Sequence, residues 1–154
     1  MLLQGSEPLA SMGDLVDCEL LQKGSSWFQA DIYRATGADS QVLCKTFAAR
    51  NVAVRKLFAG PLLRHECRIQ SRLHGVAGIP KVMGMPTPCT LATEYIADAL
   101  PLGSRHGFPG QEDGPPLPFF GSLKALIHDM HAAGVVHFDI RRRNILRDGK
   151  DRPF

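Results

Sequence analysis

The stretch Gly134-Val135-Val136-His137-Phe138-Asp139-Ile140-Arg141-Arg142-Arg143-Asn144-Ile145-Leu146 decides how this chain is read. An apolar, strand-like run breaks into His137, Asp139, three consecutive arginines and Asn144, then returns to Ile145-Leu146. It is either a charged loop that only meets water or a site built for phosphate chemistry. Immediately before it, FFGSLKALIHDMHAAG (119–134) carries Leu123, Leu126, Ile127 and Met130 along one stripe. That spacing predicts an amphipathic helix, closed by Gly134. Before the helix, residues 97–118 hold four glycines and five prolines and read as a long connector.

Further upstream, residues 18–47 read as strands: CELLQKGSSWFQADIYRAT, a turn at Gly37-Ala38-Asp39-Ser40, then QVLCKTF. Strict alternation points Val42 and Cys44 inward and puts Leu43 and Lys45 on the opposite side, where the lysine requires an acidic partner or a ligand. Residues 48–58 predict a short helix through Val52, Val54, Leu57 and Phe58. Gly60-Pro61 restarts the chain, and Leu62, Leu63, Ile69 and Leu73 mark a stronger helix that ends at HGVAGIP. Strands follow at KVMGM and CTLATEYIA.

The totals narrow the classes. With 154 residues, 44% hydrophobic and 21% charged, the chain is one globular domain's length and neither fibrous nor disordered. The net charge of +3 is small, and the basic residues cluster only at Arg141–Arg143, with no aromatic interleaving, so a nucleic-acid partner is not expected. Cys18, Cys44, Cys67 and Cys89 form no C-x-x-C pair and read as free thiols of a reducing compartment. Residues 1–14 read as a loose leader without a basic signal region, and no window nears the ~18 apolar residues of a membrane span. The expectation is a cytoplasmic protein, peripheral at most to the inner face of a membrane.

Four features in one order resemble a protein-kinase-like phosphotransferase. His137-x-Asp139-x-x-x-x-Asn144 is similar to the catalytic loop H-x-D-x-x-x-x-N, and MHAAGVVH to its lead-in. VLCKTF resembles the strand that carries the phosphate-binding lysine, which makes Lys45 that residue. Glu66, in LLRHECRIQSRL, looks like its acidic partner, and TLATEYIADALPL looks like the hinge. The compact spacing is most similar to bacterial kinases of the lipopolysaccharide-core and Rio-type groups.

The resemblance implies an α+β, bilobal fold: an antiparallel-sheet first lobe with one main helix over 15–96, the connector 97–118, and from 119 to 154 the start of a mostly helical second lobe. It implies ATP and Mg²⁺ as cofactors, and transfer of the γ-phosphate to a hydroxyl of a protein Ser/Thr or a lipid-linked sugar. Lys45 holds the α- and β-phosphates, Glu66 keeps it extended, Asp139 takes or orients the hydroxyl proton, Arg141 reaches the transferred phosphate and Asn144 ligates the metal. Gly24, Ser25 and Ser26 fall in the phosphate-cradling loop, Thr93 at the gatekeeper position, and Glu94 to Ile96 offer backbone groups to adenine.

Each residue alone has a plainer reading: Asp139 as a turn cap, Lys45 and Glu66 as exposed charges, His131 as packing. Within the family, too, His137 braces the loop and moves no proton. The sequence also departs from the family pattern. Aligned on the glycine motif, Ser25, Trp27 and Ala30 stand where three glycines usually lie. The family's metal-binding D-F-G-like segment comes about a dozen residues after the loop asparagine, beyond Phe154, and Asp148 and Asp151 lie too close to Asn144 to replace it. The expectation is an incomplete catalytic set, a truncated second lobe, and an uncovered helix face at Leu123–Met130 open to an oligomer or partner. The alternative is a catalytically silent nucleotide-binding or scaffold protein of the same fold.

Overall fold

The computed structural model describes residues 17–37, 40–102, 114–137 and 139–154. The leader at 1–14, most of the connector, the centre of the 37–40 turn and Phe138 lie outside them. The chain forms two compact units. One runs to Ser71 and takes in Lys81–Tyr95; the other is Arg72–Pro80 with Ile96–Phe154. A division at residue 96 alone, as the sequence suggests, misses that the segment after the main helix groups with the later residues.

The first unit is built on a five-stranded antiparallel sheet in the order β1-β2-β3-β5-β4. Its strands are β1 Asp17–Gln22, β2 Asp31–Thr36, β3 Gln41–Thr46, β4 Val82–Thr87 and β5 Thr90–Glu94. The alternation expected for β3 holds: Val42 and Cys44 are buried with Ala35 and Ala92 on one face, and Tyr33 and Met83 pack against them. Burial pushes the Cys44 thiol up, with a further push from Cys18. A second apolar cluster joins Phe47, Leu91, Val54, Ala59 and Leu63. Leu91 pairs with Lys45 across the β3–β5 ladder, so the lysine shares the face on which the helical segment packs.

The helical segment differs from the expectation of two helices with a restart at Gly60-Pro61. Asn51 caps α1 (Val52–Val54), its side chain accepting the Val54 N–H at 2.8 Å. A π-helical turn over Arg55–Ala59 follows and leads without a break into α2 (Gly60–Arg72). Pro61 has no N–H and its ring crowds the carbonyl four residues back. The wider turn just before it, closed by Gly60 N–H to the Arg55 carbonyl, lets the helix continue instead of stopping. The same turn changes which residues face inward. Val54, Ala59 and Leu63 are buried, whereas Val52, Leu57, Phe58 and Leu62 are exposed, contrary to the apolar faces that periodicity assigns.

In the second unit, β6 (Leu100–Pro101) pairs antiparallel with β7 (Leu146–Arg147), and α3 spans Leu117–Ala132. The connector therefore contains a short strand and yields its last residues to the helix. Gly134 closes α3 as expected: at φ +73° it is left-handed, with Gly134 N–H on the His131 carbonyl and Val135 N–H on that of Met130. The uncovered stripe is corrected. Leu126 and Met130 are buried, and Leu123 and Ile127 are half-buried. Gly78, at φ +89°, admits Leu126 so closely that an added Cβ would lie 3.1 Å from its Cδ2 and 2.8 Å from the Pro153 carbonyl oxygen. Leu126 of the stripe thus meets the segment after α2, and the large exposed apolar residues of α3 are Leu117 and Phe120 at its start. Among the described residues no helix is long and apolar enough to cross a membrane.

That hairpin is held by two acidic residues. Leu146 and Phe154 exchange backbone hydrogen bonds, and Arg147 bridges to Pro153. Buried Asp148 accepts the Lys150 and Arg152 backbone N–H groups and the Arg152 guanidinium, while Asp151, at φ +59°, pairs with Arg147. Burial pushes the Asp148 carboxyl up, but the hydrogen bonds from Arg152 and Lys150 outweigh it, and its pKa is held below the usual carboxylate range. A lowered folded pKa contributes stability above the unfolded value and loses it as pH falls through the folded one. Unfolding free energy of the wild type should therefore drop below pH ~4, and Asp148→Asn should remove part of that drop. Chemical denaturation of both proteins across an acid series checks this; parallel curves would count against it.

Candidate functional site

The candidate residues fall in two groups, one in each unit. In the first, β3 fixes Lys45 and α2 fixes Glu66, residues 21 apart in the chain. Lys45 Nζ donates to both carboxylate oxygens, at 2.9 Å to Oε1 and 2.7 Å to Oε2. Both side chains are half-buried. The pair arises because Leu63, one turn before Glu66, anchors α2 against Leu91 in the apolar cluster, which carries the glutamate over the strand face that holds Lys45. Two charge-assisted hydrogen bonds hold the long lysine in one direction, which a single exposed contact would not.

Thr93 is buried on β5 and pairs in register with Leu43, so it shares the Lys45 face. Next along the strand, the Glu94 N–H donates to the Lys81 carbonyl and the Tyr95 N–H to that of Gln41, so both amides serve the sheet. Ile96 is half-buried just beyond.

The turn between β1 and β2 has an organisation that sequence reasoning missed. Gly24 N–H donates to Asp31 Oδ1 at 2.8 Å, and Ser25 donates from both its backbone N–H and its hydroxyl to Gln29 Oε1. Arg50, from the segment after β3, inserts its guanidinium behind the turn. It donates to the carbonyls of Gly24 and Gln29 and to Asp31 Oδ1 at 2.9 Å. A Cβ at Gly24 would sit 2.5 Å from the Gln29 carbonyl oxygen and 2.9 Å from its carbon, backbone atoms that cannot give way, so only glycine fits there. Beside this hub lies a cleft of about 300 Å³, lined by residues 24–27 and by Ala49, Arg50, Asn51 and Val54. Lys45 and Glu66 do not line it.

In the second unit, His137 and residues 139–146 bond among themselves. Asp139 N–H donates to His137 Nδ1 at 3.1 Å, which fits a bracing role for the histidine. Asn144 Nδ2 donates to the Asp139 carbonyl oxygen at 2.9 Å and to its carboxylate Oδ2 at 3.0 Å. Arg141 closes an ion pair on Asp139 Oδ1. A 3₁₀ turn over Arg142–Asn144 sets the five-residue separation, with Asn144 N–H on the Arg141 carbonyl. Arg142 reaches the Leu102 carbonyl and so ties the loop to the connector. Asp139, Arg141 and Asn144 are thus brought together within hydrogen-bonding reach. The Asn144 amide nitrogen is the atom turned to Asp139, which leaves its Oδ1 as the oxygen that could meet a hard cation. Asp148 and Asp151 are committed to their hairpin. Among the described residues there is no group of three or more His, Cys, Asp or Glu placed to hold a metal by themselves.

Neither Asp31 nor Arg50 has a motif around it, and a sequence signal for their pairing is slight: an acidic residue opening a strand seven residues after a glycine. Compared with models of known protein families, the chain matches none.

Proposed function

We propose that this chain is a protein-kinase-like phosphotransferase of bilobal architecture, which binds ATP with Mg²⁺ and passes the γ-phosphate to a hydroxyl. The acceptor is a protein Ser/Thr or a sugar hydroxyl of a lipid-linked saccharide. The observation that carries this reading is the two-pronged Lys45–Glu66 pair, formed between the strand and helix on which the kinase resemblance calls for it.

Phosphoryl transfer asks the protein for positioning and charge neutralisation more than for covalent chemistry. Lys45, held by Glu66, meets the α- and β-phosphates. Asp139 faces the acceptor and takes its hydroxyl proton as the acceptor oxygen bonds to the γ-phosphorus and the bond to the bridging oxygen breaks, releasing ADP. Arg141, paired with Asp139, would turn its charge to the transferred group. Mg²⁺ supplies neutralisation of the phosphate oxygens when bound, with Asn144 Oδ1 among its ligands.

One observation favours a second reading, a nucleotide-binding or scaffold protein without transfer. The Gly24 and Ser25 amides, which would cradle phosphate, are already taken by Asp31 and Gln29. Calorimetric titration with ATP and Mg²⁺ tests the common premise. Lys45→Ala should weaken binding by roughly 10- to 100-fold through loss of a charge-assisted contact, and Asp139→Ala should leave it within a few-fold. Equal affinity in wild type and Lys45→Ala would overturn the phosphotransferase reading, and no binding by either would leave only the scaffold.

A further inference from the structure

We infer that the first unit carries a docking surface for an anionic lipid bilayer, formed where the β1–β2 turn meets the π-helical turn. The surface stands on its own observations and does not depend on the phosphotransferase reading. Trp27 and Phe28 at the tip of the turn are 69% and 66% exposed, and Leu57 and Phe58 on the π turn are 69% and 53% exposed. The two sets are contiguous, for the Phe28 and Phe58 rings meet edge to face with centroids 5.6 Å apart. Four large apolar side chains so grouped amount to more than scattered surface hydrophobics, and such patches mark contact with another phase or molecule.

The backbone works to keep them outside. The π turn rotates Leu57 and Phe58 away from the apolar cluster that receives Val54, Ala59 and Leu63, and π turns concentrate at functional positions. On the other side, Arg50 and Asp31 pin the 24–31 turn from behind, so Trp27 and Phe28 are presented on a fixed support.

Charge selects the occupant. Lys23, Arg55 and Lys56 lie beside the four apolar residues in the chain, and none forms an ion pair among the described residues. From Leu20 to Ala30 and from Ala48 to Arg64 the sequence has no acidic residue. A protein partner with an apolar pocket would not call for this one-signed surround. An anionic bilayer would: tryptophan settles at the headgroup level, leucine and phenylalanine enter the acyl boundary, and lysine and arginine stay with lipid phosphates.

Trp27 is the chain's single tryptophan, and its emission reports directly on the surface. The whole chain is mixed with vesicles of phosphatidylcholine alone or of phosphatidylcholine with phosphatidylglycerol. A blue shift and cosedimentation with the anionic vesicles, weakened by salt, are expected. Leu57→Ser with Phe58→Ser should lower the vesicle partition coefficient by about tenfold or more. Lys23→Gln with Lys56→Gln should lower it about fivefold or more at low salt. All four positions are exposed, and unchanged circular dichroism confirms that the variants fold. Lys45→Ala should bind vesicles like wild type, so failure of nucleotide binding and failure of lipid binding are separable. No blue shift with anionic vesicles overturns the proposal, as does equal binding to neutral ones. A blue shift that grows with protein concentration without lipid also overturns it, in favour of self-association.

Discussion

Arg50→Ala should destabilise the sheet-bearing unit by about 3–5 kcal/mol, the cost of leaving a buried charge without its partner. The Asp31 side chain is 5% exposed and that of Arg50 15%, so the pair is largely shielded from water. The loss reaches further than one ion pair, because the same side chain satisfies the carbonyls of Gly24 and Gln29. Urea denaturation of wild type and variant measures the difference. The double variant Arg50→Met with Asp31→Leu should recover much of it, since a matched apolar pair removes the orphaned charge. Gly24→Ala should be destabilising for a separate reason, the 2.5 Å approach of its Cβ to the Gln29 backbone carbonyl oxygen. A loss below about 1 kcal/mol for Arg50→Ala would mean that the turn is held by its own Ser25–Gln29 bonds, as an exposed pair would leave it.

The second large effect belongs to chemistry. Asp139→Asn should lower phosphoryl transfer by about 10²- to 10⁴-fold, the range for removing a positioned general base. The substitution keeps the shape of the loop, and its amide can still meet Asn144, but the carboxylate that Arg141 pairs with is gone. Transfer from radiolabelled ATP to a generic acceptor protein and to a lipid-linked saccharide, with ATP affinity measured alongside, separates the outcomes. A drop in rate at unchanged affinity supports the proposed role. Transfer undiminished in the variant removes Asp139 from it. ATP binding by the wild type with no transfer to either acceptor supports the silent alternative.

Much of the first unit was legible because its signals are local. Alternation along β3 gave the buried Val42 and Cys44, and the odd lysine that follows them announced a partner that proves to be Glu66. The closing turn of α3 at Gly134 was legible for the same reason, since a left-handed residue there has a composition signature. The apolar stripe of α3 was also legible, but not what it meets: Gly78 comes to Leu126 from a segment far away in the chain.

Where the reading failed, the deciding interaction was non-local or a matter of phase. Gly60-Pro61 predicts a break, and the chain instead widens one turn by a residue, so Leu57 and Phe58 lie outside. The glycine-poor turn predicts a loose phosphate cradle. Arg50, from beyond β3, makes it a pinned turn whose first amides are spoken for.

By itself the sequence determined the α+β class and the main strands and helices, because hydrophobic period and residue type act within a few residues of each other, while its resemblance to kinases pointed Lys45 to Glu66, 21 residues away. Tertiary structure alone decided that Arg50 closes on Asp31, that Leu126 is covered, and that Leu57 and Phe58 are not. Those outcomes depend on which distant group arrives to satisfy a buried charge or fill a space, and on helix phase, which a single inserted residue resets.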